Sequence, residues 1–71
     1  MSIEIRSPMP GKIIQVLKKV GDKVLEAEEI MIMEAMKMEM PICSSAAGAI
    51  AALKVSEGQA VAKDEILVLV E

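Results

Sequence analysis

Two apolar runs, Ile30-Met31-Ile32-Met33 and Leu67-Val68-Leu69-Val70, each end in a glutamate and stand 37 residues apart. The spacing extends well beyond them. Met9 to Glu34 aligns with Ala46 to Glu71 without a gap, matching Gly11 to Gly48, Ile13 to Ile50, Gly21 to Gly58, Val24 to Val61 and Glu34 to Glu71. The second run is rich in β-branched residues and reads as a strand. Taken alone, the first does not. Leu25 to Met40 is built mostly of Leu, Glu, Ala, Met and Lys, all good helix formers, and Pro41 would stop a helix there. Yet Ile30 to Met33 is apolar all round for a full turn, which makes a poor amphipathic stripe. Two halves that share a fold must share their strands, so the repeat makes Ile30 to Glu34 a strand against its local preference.

The pattern then predicts eight short strands. Four fall near Ile3–Ser7, Lys12–Lys18, Lys23–Leu25 and Glu29–Ala35, and four near Met38–Ser44, Ala49–Val55, Ala60–Ala62 and Glu65–Val70. Pro8 to Gly11 and Gly21-Asp22 are expected turns in which glycine supplies a positive φ. Ser44 to Gly48 is the turn equivalent to Ser7–Gly11. The expected fold class is all-β, a flattened barrel or sandwich of two small antiparallel sheets with a pseudo-twofold internal repeat. A chain of 71 residues has room for one domain, 1–71, with repeat halves 9–34 and 46–71 joined by a hairpin at 35–38.

Composition narrows the function. There is no histidine, and Cys43 is the only cysteine, so neither a metal-ligand spacing nor a disulfide framework exists. Cys43 reads as a small buried hydrophobe. A net charge of −3 and the absence of Phe, Tyr and Trp argue against nucleic acid as a partner. The amino terminus shows no basic region followed by an apolar stretch, and the longest small or apolar run, Ala46 to Leu53, is too short to span a bilayer. A cytoplasmic chain with no direct membrane insertion is expected. The usual general base is missing and no serine or cysteine has an activating neighbour, so no catalytic residue is assigned and the chain is not expected to be an enzyme by itself. Glu28 and Glu29, the one conceivable acid/base pair, would point to opposite faces of a strand.

What remains is Lys37, at the tip of the hairpin between the halves. A duplicated scaffold that presents one lysine at its midpoint suggests a lysine on display. Ala35-Met36-Lys37-Met38, with Pro8-Met9-Pro10-Gly11-Lys12-Ile13 and Gly21-Asp22-Lys23-Val24, resembles the biotinyl domain of biotin-dependent carboxylases, the biotin carboxyl carrier family, over Ile5 to Val70. The resemblance implies that biotin is the covalent cofactor, joined to the Lys37 amine by a separate biotin protein ligase. It further implies that biotin carboxylase and carboxyltransferase are the partners between which a carboxyl group is shuttled, in an acyl-CoA carboxylase or a relative of one. Ala35, Met36 and Met38 would be the recognition motif, flanked by Glu34 and Glu39. The other reading of Met36 and Met38 is that one or both cap the core at the sheet end.

Three alternatives stay open at this level. A lipoyl domain has the same architecture, but usually shows an acidic residue before its lysine and a small one after it, where this chain has methionines. A carrier for a sodium-pumping decarboxylase would carry the same motif. A pure interaction module would leave Lys37 unmodified. The chain departs from the family at Ala27, near which many members have a glycine, which puts the tight turn there in doubt. It also has no inserted loop between the strands of its first repeat, and it is either a free-standing small carrier or one domain of a longer protein.

Overall fold

The computed structural model describes residues 2–71. Eight strands and no helix occur among the described residues: β1 (Ile3–Arg6), β2 (Gly11–Val16), β3 (Lys23–Val24), β4 (Glu29–Ala35), β5 (Met38–Cys43), β6 (Gly48–Leu53), β7 (Ala60–Val61) and β8 (Ile66–Val70). They form two antiparallel four-stranded sheets in the orders β1-β8-β6-β3 and β5-β4-β2-β7. Each sheet therefore takes two strands from each half of the chain. Ile3 pairs with Val70 as Met40 pairs with Met33, so the pseudo-twofold relation runs further toward the amino terminus than the sequence alignment from Met9.

The helix-prone segment is a strand, and magnitudes explain why. Helix propensities differ by no more than about 0.7 kcal/mol per ordinary residue. Full burial of an aliphatic or methionine side chain contributes about 1.5–3 kcal/mol. As β4, the segment buries Met31, Met33 and Ala35 on one face, and a bulge between Glu29 and Met31 lets Ile30 turn inward as well. A helix apolar on every side could not bury all of them against one small sheet. The core is correspondingly symmetric: Ile13 and Ile50, Ile30 and Leu67, Met31 and Val68, and Met33 and Val70 are all fully buried or nearly so.

The turns repeat too. Gly21 N–H donates to the Ile50 carbonyl at 2.9 Å, and its counterpart Gly58 N–H donates to Ile13 at 2.6 Å. Ala27 N–H reaches the Ser44 carbonyl as Asp64 N–H reaches that of Ser7, both at 2.8 Å. Leu25 N–H donates to the Glu28 carboxylate and Ala62 N–H to that of Glu65, again both at 2.8 Å. Buried Ser7 and Ser44 donate their hydroxyls to the carbonyls of Met9 and Ala46, at 2.6 and 2.5 Å. This serine pair stands at the repeat spacing in the sequence and was legible there as a signal of a shared turn.

Three expectations need correction. Gly21 and Gly58 have positive φ, 96° and 88°, but Gly11 does not. Gly11 opens β2, and its role is closeness: a Cβ there would lie 2.5 Å from the Glu34 carbonyl and from the Met33 methyl group. Gly48 meets the Glu71 carbonyl in the same way. Next, the turn at Ala27 forms despite the missing glycine, with Ala27 at φ 71° and its counterpart Asp64 at 67°. Finally, Cys43 is exposed rather than buried. It ends β5 next to buried Ile42, so alternation turns it outward, as it turns Arg6 outward in β1.

Glu28 also binds Lys18 at 2.6 Å, which ties the β2–β3 loop to the turn before β4. That hydrogen-bonded pairing holds the Glu28 carboxyl below its ordinary range and raises Lys18 above its own.

Two predictions follow from these contacts. A Cβ added at Gly21 or Gly58 meets no atom within 4 Å, so the loss is chiefly conformational; Gly21→Val and Gly58→Val should each destabilise by about 1 kcal/mol or more, read by far-ultraviolet circular dichroism on melting. The Lys18–Glu28 pair should stabilise the fold fully at neutral pH. Its contribution should fade on acidification below the ordinary Glu28 value of 4.5, as that carboxylate protonates, and on alkalinisation above the ordinary Lys18 value of 10.5. The melting difference between wild type and Lys18→Met should therefore shrink at both extremes of pH.

Candidate functional site

Strands β4 and β5 meet in the tightest possible hairpin. Ala35 pairs with Met38, leaving Met36-Lys37 as a two-residue loop. Both loop residues have left-handed backbones, φ 54° at Met36 and 63° at Lys37. Positive φ at both central positions marks the type I′ turn, whose twist matches that of the flanking strands and which Asn-Gly or Gly-Gly sequences normally supply. Here neither residue is glycine or asparagine. An L-residue with a Cβ pays about 1–2 kcal/mol in this region, so the tip is strained twice over.

The strain is held in place from below. Six pairs, from Glu29↔Cys43 to Ala35↔Met38, fix the β4–β5 register. Met31, Met33, Ala35 and Ile42 anchor the hairpin in the core. Gly11 lets β2 begin close beside β4, since a Cβ at Gly11 would lie 3.2 Å from that of Ala35. The small side chain of Ala35 and the missing one of Gly11 together set how closely β2 lies beside the end of β4.

The side chains of the tip point into solvent. Lys37 is exposed, Met36 is 83% exposed and Met38 is 64% exposed, so neither methionine caps the core. Thioethers left in water beside an ammonium form an apolar surface that nothing in the fold requires. Glu34 pairs across the hairpin with Glu39 and, on its other side, with Lys12 of β2. Two carboxylates directly opposite one another disfavour the pairing, and no ion pair neutralises either of them among the described residues. The structure thus brings Glu34, Ala35, Met36, Lys37, Met38 and Glu39 together on one hairpin end, all of them exposed except Ala35.

Chemically the tip offers one unhindered primary amine on a rigid base. No grouping of His, Cys, Asp or Glu capable of holding a metal occurs among the described residues. Nor is any helix among them long and apolar enough to cross a membrane. An amine attacks an acyl group only through its free lone pair, so a partner has to supply the base that takes its proton.

Residues 3–70 match the family model described as "Biotin-requiring enzyme". Among curated proteins, the chain is 47% identical over 64 residues to a biotin carboxyl carrier protein of Streptococcus mutans, covering 90% of this chain and 49% of that one. It is 37% identical over 67 residues to the propionyl-CoA carboxylase alpha chain of Homo sapiens, covering 94% of this chain and 9% of the relative. The chain thus spans about half the length of the carrier and less than a tenth of the carboxylase subunit. Among solved structures, Kluyveromyces lactis urea carboxylase superposes with a TM-score of 0.94 over 100% of this chain and 6% of that one, at 22% identity, a likeness of fold. The lipoyl domain of the 2-oxoglutarate dehydrogenase complex of Azotobacter vinelandii superposes with a TM-score of 0.80 at 32% identity, covering 97% of this chain and 96% of that one. With a match from Ile3 to Val70 and a two-sheet fold built on the same repeat, the chain belongs to the biotin-requiring, biotin/lipoyl attachment family.

Proposed function

We propose that this chain is a biotin carboxyl carrier, non-catalytic in itself, that holds biotin in amide linkage on Lys37. The observation that carries the reading is the hairpin tip. A strained type I′ turn, kept free of glycine, presents one exposed lysine between two exposed methionines. Such a tip is costly for a fold that needs only a turn.

The residues fit the group. The amine stands clear of the core, so a ligase can enclose it and remove its proton while an activated biotin acyl group is attacked. Met36 and Met38 supply apolar contacts on either side, and Ala35, small and buried, lets the strand end where the turn begins. Glu34 and Glu39 give the tip an acidic border. Biotin, when bound, supplies a ureido nitrogen that accepts and releases a carboxyl group. The chain supplies reach. A tethered group visits nearby sites at an effective concentration of about millimolar, and a tip fixed by backbone strain gives the arm a defined origin. Partners of biotin carboxylase and carboxyltransferase type, in a multi-component acyl-CoA carboxylase or a related enzyme, are the reading that the carboxylase relatives support.

The lipoyl reading rests on the likeness to the Azotobacter vinelandii domain. The methionines beside Lys37 weigh against it, standing where lipoyl domains usually have an acidic and a small neighbour. Incubated with a biotin protein ligase, ATP and biotin, the domain should gain one biotin mass, and Lys37→Arg should gain none. A lipoyl mass acquired in place of biotin, or modification persisting in the Arg variant, would sink the assignment.

The purified biotinylated domain should neither hydrolyse ATP nor carboxylate an acyl-CoA. With a cognate biotin carboxylase, label from bicarbonate should appear on the domain, and Lys37→Gln should prevent it. Turnover by the isolated domain would overturn the carrier reading.

A further inference from the structure

The methionines of this chain fall into two groups by exposure. Met31 and Met33 are fully buried, and the Met33 sulfur also accepts the hydroxyl of Ser7 at 3.8 Å. Met9 and Met40 are partly buried against the core. Among the described residues, only Met36 and Met38 hold their thioethers in water, 83% and 64% exposed. Oxidation of sulfur follows the access that an oxidant has to it. Folding therefore leaves these two sulfurs open and shields the other four.

The two open sulfurs also flank the amine. Met36 and Lys37 make up the whole loop, and Met38 closes it by pairing with Ala35. A ligase that encloses Lys37 has to cover the residue on each side of it. A thioether enters such a contact as a flexible apolar group. Oxidation changes that character. The sulfur lone pair attacks one oxygen of hydrogen peroxide, so an S–O bond forms as the O–O bond breaks. The departing hydroxide takes the proton of the transferred oxygen and becomes water. Sulfur has then lost two electrons and the peroxide has gained them. The sulfoxide is polar and chiral, and its oxygen accepts hydrogen bonds. Covering it with an apolar surface that offers no donor is unfavourable.

The fold does not depend on these two sulfurs. Neither side chain belongs to the core, so an oxidised tip still stands on an intact scaffold. A sulfoxide at Met31 or Met33 would instead disrupt the packing of β4. We infer that Met36 and Met38 form a reversible oxidation site for peroxide, whose sulfoxides slow the loading of biotin onto Lys37. This inference rests on the carrier reading and adds a control to the same tip. Methionine sulfoxide reductases, one for each epimer at sulfur, restore the thioether.

The test uses the unbiotinylated protein with Cys43→Ser, because that exposed thiol would oxidise as well. It is treated with dilute hydrogen peroxide, which catalase then removes. Peptide mass mapping should find an added oxygen on Met36 and on Met38 before any on Met9, Met31, Met33 or Met40. The melt followed by circular dichroism should be unchanged. With biotin protein ligase, ATP and biotin, kcat/KM for the protein should fall about tenfold or more, and both reductases together should restore it. In a Met36→Leu, Met38→Leu variant, peroxide should leave the rate of ligation where it found it. Ligation that ignores the two sulfoxides overturns the inference. So does equal oxidation of the buried methionines, or a lowered melt, which would make the loss structural. A peroxide effect that persists in the leucine variant also overturns it, since the sensitive group would then lie elsewhere. Failure of the untreated protein to take biotin would fail the carrier reading instead, and the untreated arm reads that separately.

Discussion

Neither half of this chain can satisfy its own backbone, and the rest of the structure depends on that. Strands β1 and β3 of the first half pair only with β8 and β6 of the second, and β5 and β7 of the second only with β4 and β2 of the first. The turns are exchanged in the same manner: Gly21 and Asp22 bond to Ile50, and Gly58 and Gln59 bond to Ile13. Separating the halves would expose two broken sheets with unpaired N–H and C=O groups along every cut. A domain this small gains little from its core alone. With no disulfide available from a single cysteine, mutual pairing of the halves is what satisfies the strand edges.

Interlocking also gives the hairpin its rigidity. The link between the halves, Met36-Lys37, is the one place where the chain must leave the first set of pairings and enter the second with no residues to spare. The register on both sides fixes the turn type, and the turn type forces two left-handed L-residues. Relaxing that strain would cost the Ala35–Met38 pair and the packing of Ala35 over Gly11. Energy taken from a well-paired sheet thus holds the backbone of Lys37 at a fixed position. On the proposed function, the span that the arm can reach is measured from that origin.

Duplication makes function visible as broken symmetry. Where the halves agree, as in Ser7 with Ser44, Glu28 with Glu65, and Gly21 with Gly58, the residues serve turns and core. Where they differ in exposed residues, the difference is not needed for folding. Exposed Leu17, Val20 and Leu25, which stand where the second half has Lys54, Glu57 and Ala62, belong to this second kind.

Much of this was already determined by the sequence. The repeat specified eight strands, and their observed limits lie within two residues of those expected from it. It overruled the helical preference of Leu25 to Met40, because burial of Met31, Met33 and Ile30 outweighs propensity. It also placed Lys37 at the midpoint. Only the tertiary structure decided the rest. That Gly11 is required for closeness and not for φ depends on the distance between β2 and the Glu34 carbonyl, a contact across the sheet. The outward face of Cys43 follows from strand alternation beside Ile42, and the exposure of Met36 and Met38 from a turn type set by pairing on both sides. Propensity and spacing are properties of neighbours along the chain, whereas these outcomes depend on which strands lie side by side in space.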